Sequence, residues 1–398
     1  MKVGVVVTEV GRGIGGRFTF QEMLVAAVER ARPQTRHEFV TYAAGWNRYA
    51  EGPLAWKARR LATVGTTLAL RAVHDVQDTL VGTRLVHVRT PLERRLARDQ
   101  IDLVWFPTYV EDVSLPFVCQ VFDLEHRLKP WFPEVSVDGE WEHRDRHYRR
   151  YLPKATRVIV AGETGREQVV RFFGVAPENC LPLKHPTPDF ALAAANRAPV
   201  PVERIRARGI EPPYLLYPGQ FWAHKNHAAL LDTLTELRSR GEQLSLVLVG
   251  SDKGQRGYVQ AQIRERSLED AVHILGYVDE DELVGLYQHA HALVYLSRFG
   301  PENLPPLEAF ALGCPVIVAD VPGAAEQVGK AGIVVDPGDP AAVADAVQRV
   351  GEAKERDRLV KAGRARAKEW TADDYLAGLI AFLDEFERER RLWASWRG

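Results

Sequence analysis

The chain has 398 residues, of which 46% are apolar and 26% charged, and a formal net charge of −1. That length exceeds one ordinary hydrophobic core and predicts two domains of about 200 residues each. The near-neutral balance provides no global field to attract nucleic acid, and Cys119, Cys180 and Cys314 form no CxxC pair or Cys/His cluster that would suggest a disulfide framework or structural zinc.

The N-terminus breaks into glycine too early for a signal peptide. No run of 18 apolar residues suggests a spanning helix, so a cytoplasmic protein is expected. The first predicted strand, Lys2–Thr8, runs into a turn with Gly11, Gly13, Gly15 and Gly16. Its spacing satisfies G-x-G-x-x-G, but an acidic residue is also expected at the end of the second strand. Glu38 lies at the start of the strand His37–Thr41, the wrong end to reach a ribose. The turn therefore reads as a loop facing an interdomain cleft rather than an NAD site. Residues 54–98 carry nine Arg or Lys against three acids, with Trp56 and several Leu. They read either as a solvated helical face or as a surface touching anionic lipid headgroups.

Further strands are predicted at Leu103–Phe106, Phe117–Val121 and Arg157–Val160. A Pro-rich shift near Ala191–Pro213 marks the boundary. Domain one is expected over 1–198, joined by a C-terminal helix at about 375–398, and domain two over 199–374. In the second half the apolar runs are Tyr214–Tyr217, Ser245–Val249, Val272–Leu275, Ala292–Tyr295, Pro315–Val318 and Gly332–Val335. Continuous apolar runs alternating with helical segments predict parallel sheets buried on both faces, hence two doubly wound α/β domains.

Two segments of the second half carry the chemistry. Lys225 follows the strand ending near Gly219, a compact cation at the sheet edge where anions bind in open α/β folds. After Ala292–Tyr295 comes Ser297–Pro306, with Gly300, Asn303 and Leu304, then a helix expected from about Leu307 to Gly313. The amides of Asn303 and Leu304 would point at an anion, reinforced by the helix dipole. Glu308, in the first helical turn, could accept ribose hydroxyls. Asp279-Glu-Asp281 has the D-x-D form of a metal–diphosphate holder, but Asp279 reads as an N-cap. His289 and His291, two residues apart, point to different faces. No metal site is expected.

These segments resemble the retaining glycosyltransferases of family 4, with the GT-B fold. Gly219–Lys225 is similar to the G-R-x-x-x-x-K segment, and Leu244–Ser251 to the VxLVGSG strand. Gly276–Asp279 resembles the start of LGxVxxxELxxLY, and Leu304–Ala309 the LPxLEA core of the E-x7-E motif. Ala331–Pro340 is similar to GxxxxPxD. In the first half, Gly13–Gly16 resembles the glycine loop, and Phe122–His126 with Pro133-Glu134 resembles HDLxH…PE. The chain departs where Gly300 replaces the first motif glutamate, Gln220 the arginine and Phe122 the histidine. Glu302, two residues on, is the candidate substitute for that glutamate.

The resemblance implies two Rossmann-like domains facing a cleft, with a C-terminal helix crossing back to the first. It implies transfer of a hexose from a nucleotide diphosphate sugar, GDP-mannose or a UDP-hexose, to a glycan or lipid-linked hydroxyl in surface polysaccharide synthesis. The stereochemistry would be retention, and neither cofactor nor metal would be required. Lys225, Asp123 and Glu302 are the expected catalytic residues. Gly15, Gly16, Gly219, Gln220, Lys225, Tyr277, Val278, Gly300, Asn303, Leu304 and Glu308 would hold the donor. Arg17 and His126 would face the acceptor. The alternatives are a silent nucleotide-binding homologue, a nucleotide-sugar epimerase on the same scaffold and an NAD-dependent oxidoreductase.

Overall fold

The computed structural model describes residues 1–8, 16–44 and 89–392. Gly11, Gly13 and Gly15 of the glycine turn, residues 54–88 of the basic segment and the end of the chain from Trp393 lie outside the described residues.

Two six-stranded, all-parallel sheets form the frame. The first comprises β1 (Lys2–Thr8), β2 (Glu38–Ala44), β3 (Leu103–Phe106), β4 (Phe117–Val121), β5 (Arg157–Val160) and β6 (Cys180–Pro182), in the order β2-β1-β3-β4-β5-β6. The second comprises β7 (Tyr214–Pro218), β8 (Ser245–Val249), β9 (Val272–Gly276), β10 (Ala292–Tyr295), β11 (Val316–Ala319) and β12 (Gly332–Val335), in the order β12-β11-β10-β7-β8-β9. This is the α/β architecture that the apolar runs predict. β6 is the strand they do not reveal.

The strands of the first sheet are buried on both faces, so their side chains divide by alternation. Val3, Val5, Leu103, Trp105, Val118 and Ile159 point into one cluster with Phe20, Leu24, Tyr375, Leu379 and Leu383. Val6, Val104, Phe106, Cys119, Val158 and Val160 point into the other, with Leu92, Leu96 and Tyr151. The three cysteines are free and buried.

The helix Ala372–Arg390 begins with a Thr371/Asp374 capping box and returns to the first sheet. There the Tyr375 hydroxyl donates to Gln120 Oε1 at 2.7 Å in the core. Around its length Arg30 pairs with Asp373, Arg36 with Asp384 and Arg390 with Asp102. The described end of the basic segment is the helix Pro91–Arg98, closed by a Thr90/Glu93 capping box. No described helix is long and apolar enough to cross a membrane.

Candidate active site

In an open parallel sheet, ligands bind outside the carboxyl ends of the strands where the strand order reverses. In the second sheet that point falls between β7 and β10, which pair directly. The rings ending these two strands, Tyr217 and Tyr295, stack with centroids 5.1 Å apart and planes at 11°. Lys225 lies beyond β7 and the loop Ser297–Asn303 beyond β10. The Tyr217 hydroxyl donates to the Lys225 carbonyl at 2.6 Å. Lys225 Nζ donates to the Tyr295 hydroxyl at 2.6 Å, and that hydroxyl in turn reaches Asn303 Oδ1 at 3.4 Å. Tyr295 thus joins the two expected anion contacts. Only its place as the last residue of a central strand marks it in the sequence.

The helix after the loop spans Leu304–Leu312, with Asn303 as N-cap and Gly313 left-handed at its end. It begins three residues earlier than expected. Pro305 and Pro306 read as loop residues, yet proline fits a first turn, where no N–H is needed and φ is preset. Two corrections follow. Glu308 sits in the second turn, and its buried carboxylate accepts the Tyr287 hydroxyl at 2.6 Å instead of lying open to a ribose. Burial pushes its pKa up to about 7. The Asn303 amide is engaged by Gln327 Oε1 at 3.2 Å, while Gln327 Nε2 donates to the Asn303 carbonyl at 2.8 Å. Leu304 is left as the amide at the helix start for an anion.

Gly300 adopts φ +91°, and a Cβ there would crowd the Asn303 side chain at 3.2 Å. Its N–H donates to Glu125 Oε1 of the first domain at 3.1 Å. Glu302 does not stand in for the missing glutamate. Its carboxylate turns to the segment that follows β6, where it accepts the His185 N–H, and it is absent from the pocket lined by Tyr295, Ser297, Gly300, Asn303 and Gln327. Burial raises its pKa to about 8. Gln220 is fixed by donating to Ser251 Oγ at 3.2 Å and accepting Trp222 Nε1 at 3.0 Å. Gly219 meets the β8 loop closely, its N–H donating to the Val249 carbonyl at 2.7 Å. Beyond β9, Tyr277 presents an exposed ring while Val278 is buried.

From the first domain, the helix Gly16–Ala31 starts beside the same place. An ideal Cβ on Gly16 would lie 3.4 Å from Leu304 Cδ1, so two helix N-termini adjoin, and both favour negative charge. The Arg17 guanidinium lies 5.6 Å from the centroid of the Phe122 ring. Asp123 is paired with Arg144, and its Oδ1 also accepts the Glu125 N–H at 3.1 Å. Burial opposes its charge, but Arg144 and the Glu125 amide hold its carboxyl below the usual range. His126 does not face the acceptor. It is fully buried among Trp141, Tyr148 and Phe173, and burial drives its pKa down to about 4.

No cluster of three or more metal-ligating side chains occurs among the described residues. Asp279 caps its helix by accepting the Glu282 N–H at 2.8 Å. His289 and His291 reach different carbonyls, those of Val200 and Val347.

Residues 203–366 match the family described as "Glycosyl transferases group 1". Over this stretch, less than half of the chain, the sequence is similar to that family. O-antigen chain mannosyltransferase B of Escherichia coli is 26% identical over 266 residues, 63% of this chain and 69% of that protein. Sucrose-phosphate synthase from Thermosynechococcus elongatus superposes with a TM-score of 0.69 at 20% identity, covering 99% of this chain and all of its own. Anabaena HepE in complex with UDP-glucose superposes with a TM-score of 0.65 at 17% identity, covering 97% and 100%. These solved structures share the two-domain GT-B fold. The family match and these relatives make the chain an enzyme of the glycosyltransferase class.

Proposed function

We propose that the enzyme moves a hexose from a nucleotide diphosphate sugar to a hydroxyl of a glycan or lipid-linked acceptor, with retention at the anomeric carbon, in surface polysaccharide synthesis. The observation that carries this reading is the convergence of Lys225, Tyr295 and the start of the Leu304 helix at the switch point of the second sheet. The diphosphate lies between the ammonium and the helix start, with the start of the Gly16 helix on its other side. Charge growing on the leaving phosphate is met by groups already oriented toward it, usually the largest catalytic contribution. One such donor is worth about 3 kcal/mol by analogy with oxyanion holes.

In this scheme a leaving phosphate oxygen takes the acceptor's proton, so no carboxylate base is needed and retention follows from attack on the same face. Tyr277 offers its exposed ring to the base. Arg17 and Asp123 border the sugar and acceptor. The donors proposed are GDP-mannose or a UDP-hexose, in keeping with a mannosyltransferase relative and a structural neighbour that holds UDP-glucose. Because Lys225 and the helix starts supply the positive charge, a chelator should leave the rate within about twofold.

The test is a panel of GDP-, UDP- and dTDP-sugars, read by melting temperature and by product. Specific binding raises stability as RT ln(1 + [L]/Kd). One nucleotide should stand out, and its sugar should appear in a new linkage with the donor's anomeric configuration. An inverted product would refute the retention step. A second reading, a nucleotide-binding homologue without turnover, is favoured by the glycine at 300. Turnover of any donor in the panel removes it.

A further inference from the structure

Lys225 and the Ser297–Asn303 loop both belong to the second domain, yet each is held from the first. Glu134 Oε1 accepts the backbone N–H of His224 at 2.7 Å and also Nδ1 of its ring. His224 immediately precedes Lys225. Glu125 Oε1 accepts the Gly300 N–H at 3.1 Å, and its Oε2 accepts Lys129 Nζ at 3.0 Å. Lys129 Nζ donates onward to the Arg298 carbonyl at 2.6 Å. One short stretch, residues 125–134, therefore grips both loops.

Phe299 ties the two grips together. The His224 ring lies flat against it, with centroids 4.2 Å apart and planes at 6°, and Phe132 meets it edge-on at 4.9 Å. Both carboxylates are withdrawn from solvent, with side-chain exposures of 4% for Glu125 and 7% for Glu134. Buried carboxylates are costly unless paired. Here each carboxylate has a backbone amide of the other domain among its partners, a bond that its charge strengthens. A packing interface needs no such pairing of charge with backbone.

We propose that Glu125 and Glu134 are positioning residues for glycosyl transfer, fixing Lys225 and the Gly300–Asn303 loop on either side of the diphosphate only when the two domains are together. The inference rests on the transfer reading given above. Neither carboxylate needs to touch the donor. Each acts through the amide it holds: Glu134 through His224 on the position of Lys225, and Glu125 through Gly300 on the loop that ends at Asn303. Opening the domains releases both loops at once, coupling closure to assembly of the site.

The test combines hydrogen exchange and kinetics on the full chain. In Glu134→Ala the amides of residues 222–226 should exchange at least tenfold faster than in wild type. In Glu125→Ala those of 298–303 should do so. The sheet strands should be unchanged in both. Turnover of the nucleotide sugar should fall at least tenfold in kcat, while affinity for the nucleoside diphosphate alone stays within threefold. Glu134→Gln carries the same readouts where the alanine chain does not fold. Unchanged exchange in both loops, or kcat within twofold of wild type in both variants, overturns the proposal. A wild-type chain that turns over no nucleotide sugar overturns the transfer reading instead, and the exchange rates still decide whether the grip exists.

Discussion

Glu302 illustrates how far a side chain's chemistry depends on where its loop turns. In the sequence it lies two residues from Gly300 and invites a catalytic role. In the structure it is a buried carboxyl with Lys184, Arg366 and Glu326 around it, and burial outweighs both cations to raise its pKa from 4.5 to about 8. A carboxyl that holds its proton more tightly when folded contributes stability that is complete below pH 4.5 and is lost as pH rises through 8. The melting temperature of Glu302→Gln relative to wild type should therefore rise as pH increases from 5 to 8; parallel profiles would refute the assignment. Lys225, Gly219 and Leu304 are legible from sequence because each follows directly from a strand end or a helix start. Gln327 and Tyr287 are not, because they reach Asn303 and Glu308 across packed elements. The same holds for Glu125 and Glu134, whose partners belong to the other domain. Their motif is visible in the sequence, but the amides they bind are not.

At the scale of elements, the strands buried on both faces announce themselves as unbroken apolar runs, as in LVWF of β3 and SLVLV of β8. The edge strand β6 is three residues long and ends in Pro182. It carries too little signal, and a proline at an edge reads as a break. The Leu304 helix is misread at its start for a related reason: two prolines look like loop although a first turn accepts them. What the loops need of glycine is clearest where β7 and β8 end. A Cβ on Gly250 would lie 2.2 Å from the Gly219 carbonyl oxygen. The backbone of one phosphate-side loop thus rests directly on the other. Gly250→Ala should destabilise the protein by at least about 2 kcal/mol, the cost typical of forced backbone clashes, and should move the Gly219–Lys225 segment. A melting temperature within a degree of wild type would contradict that contact.

Over the whole molecule, elements of both domains meet at the switch point of the second sheet. The first domain brings the start of the Gly16 helix and the Phe122–Asp123 edge, the second Lys225, Tyr295 and the start of the Leu304 helix. The returning helix Ala372–Arg390 binds the end of the chain to the first sheet through Tyr375, so the chain's last described helix belongs structurally to its beginning. Lys225 and the helix starts gather at one place while the net charge is −1, which is why composition gives no global field for nucleic acid yet cannot reveal an anion site. The central claim is that a diphosphate rests between Lys225 and the Leu304 helix. The most direct measurement is the affinity of the preferred nucleoside diphosphate against its monophosphate, in wild type and in Lys225→Ala of unchanged melting temperature. The second phosphate should tighten binding at least tenfold in wild type, about 1.4 kcal/mol, and less than threefold in the variant. An equal ratio in the two proteins would contradict the account.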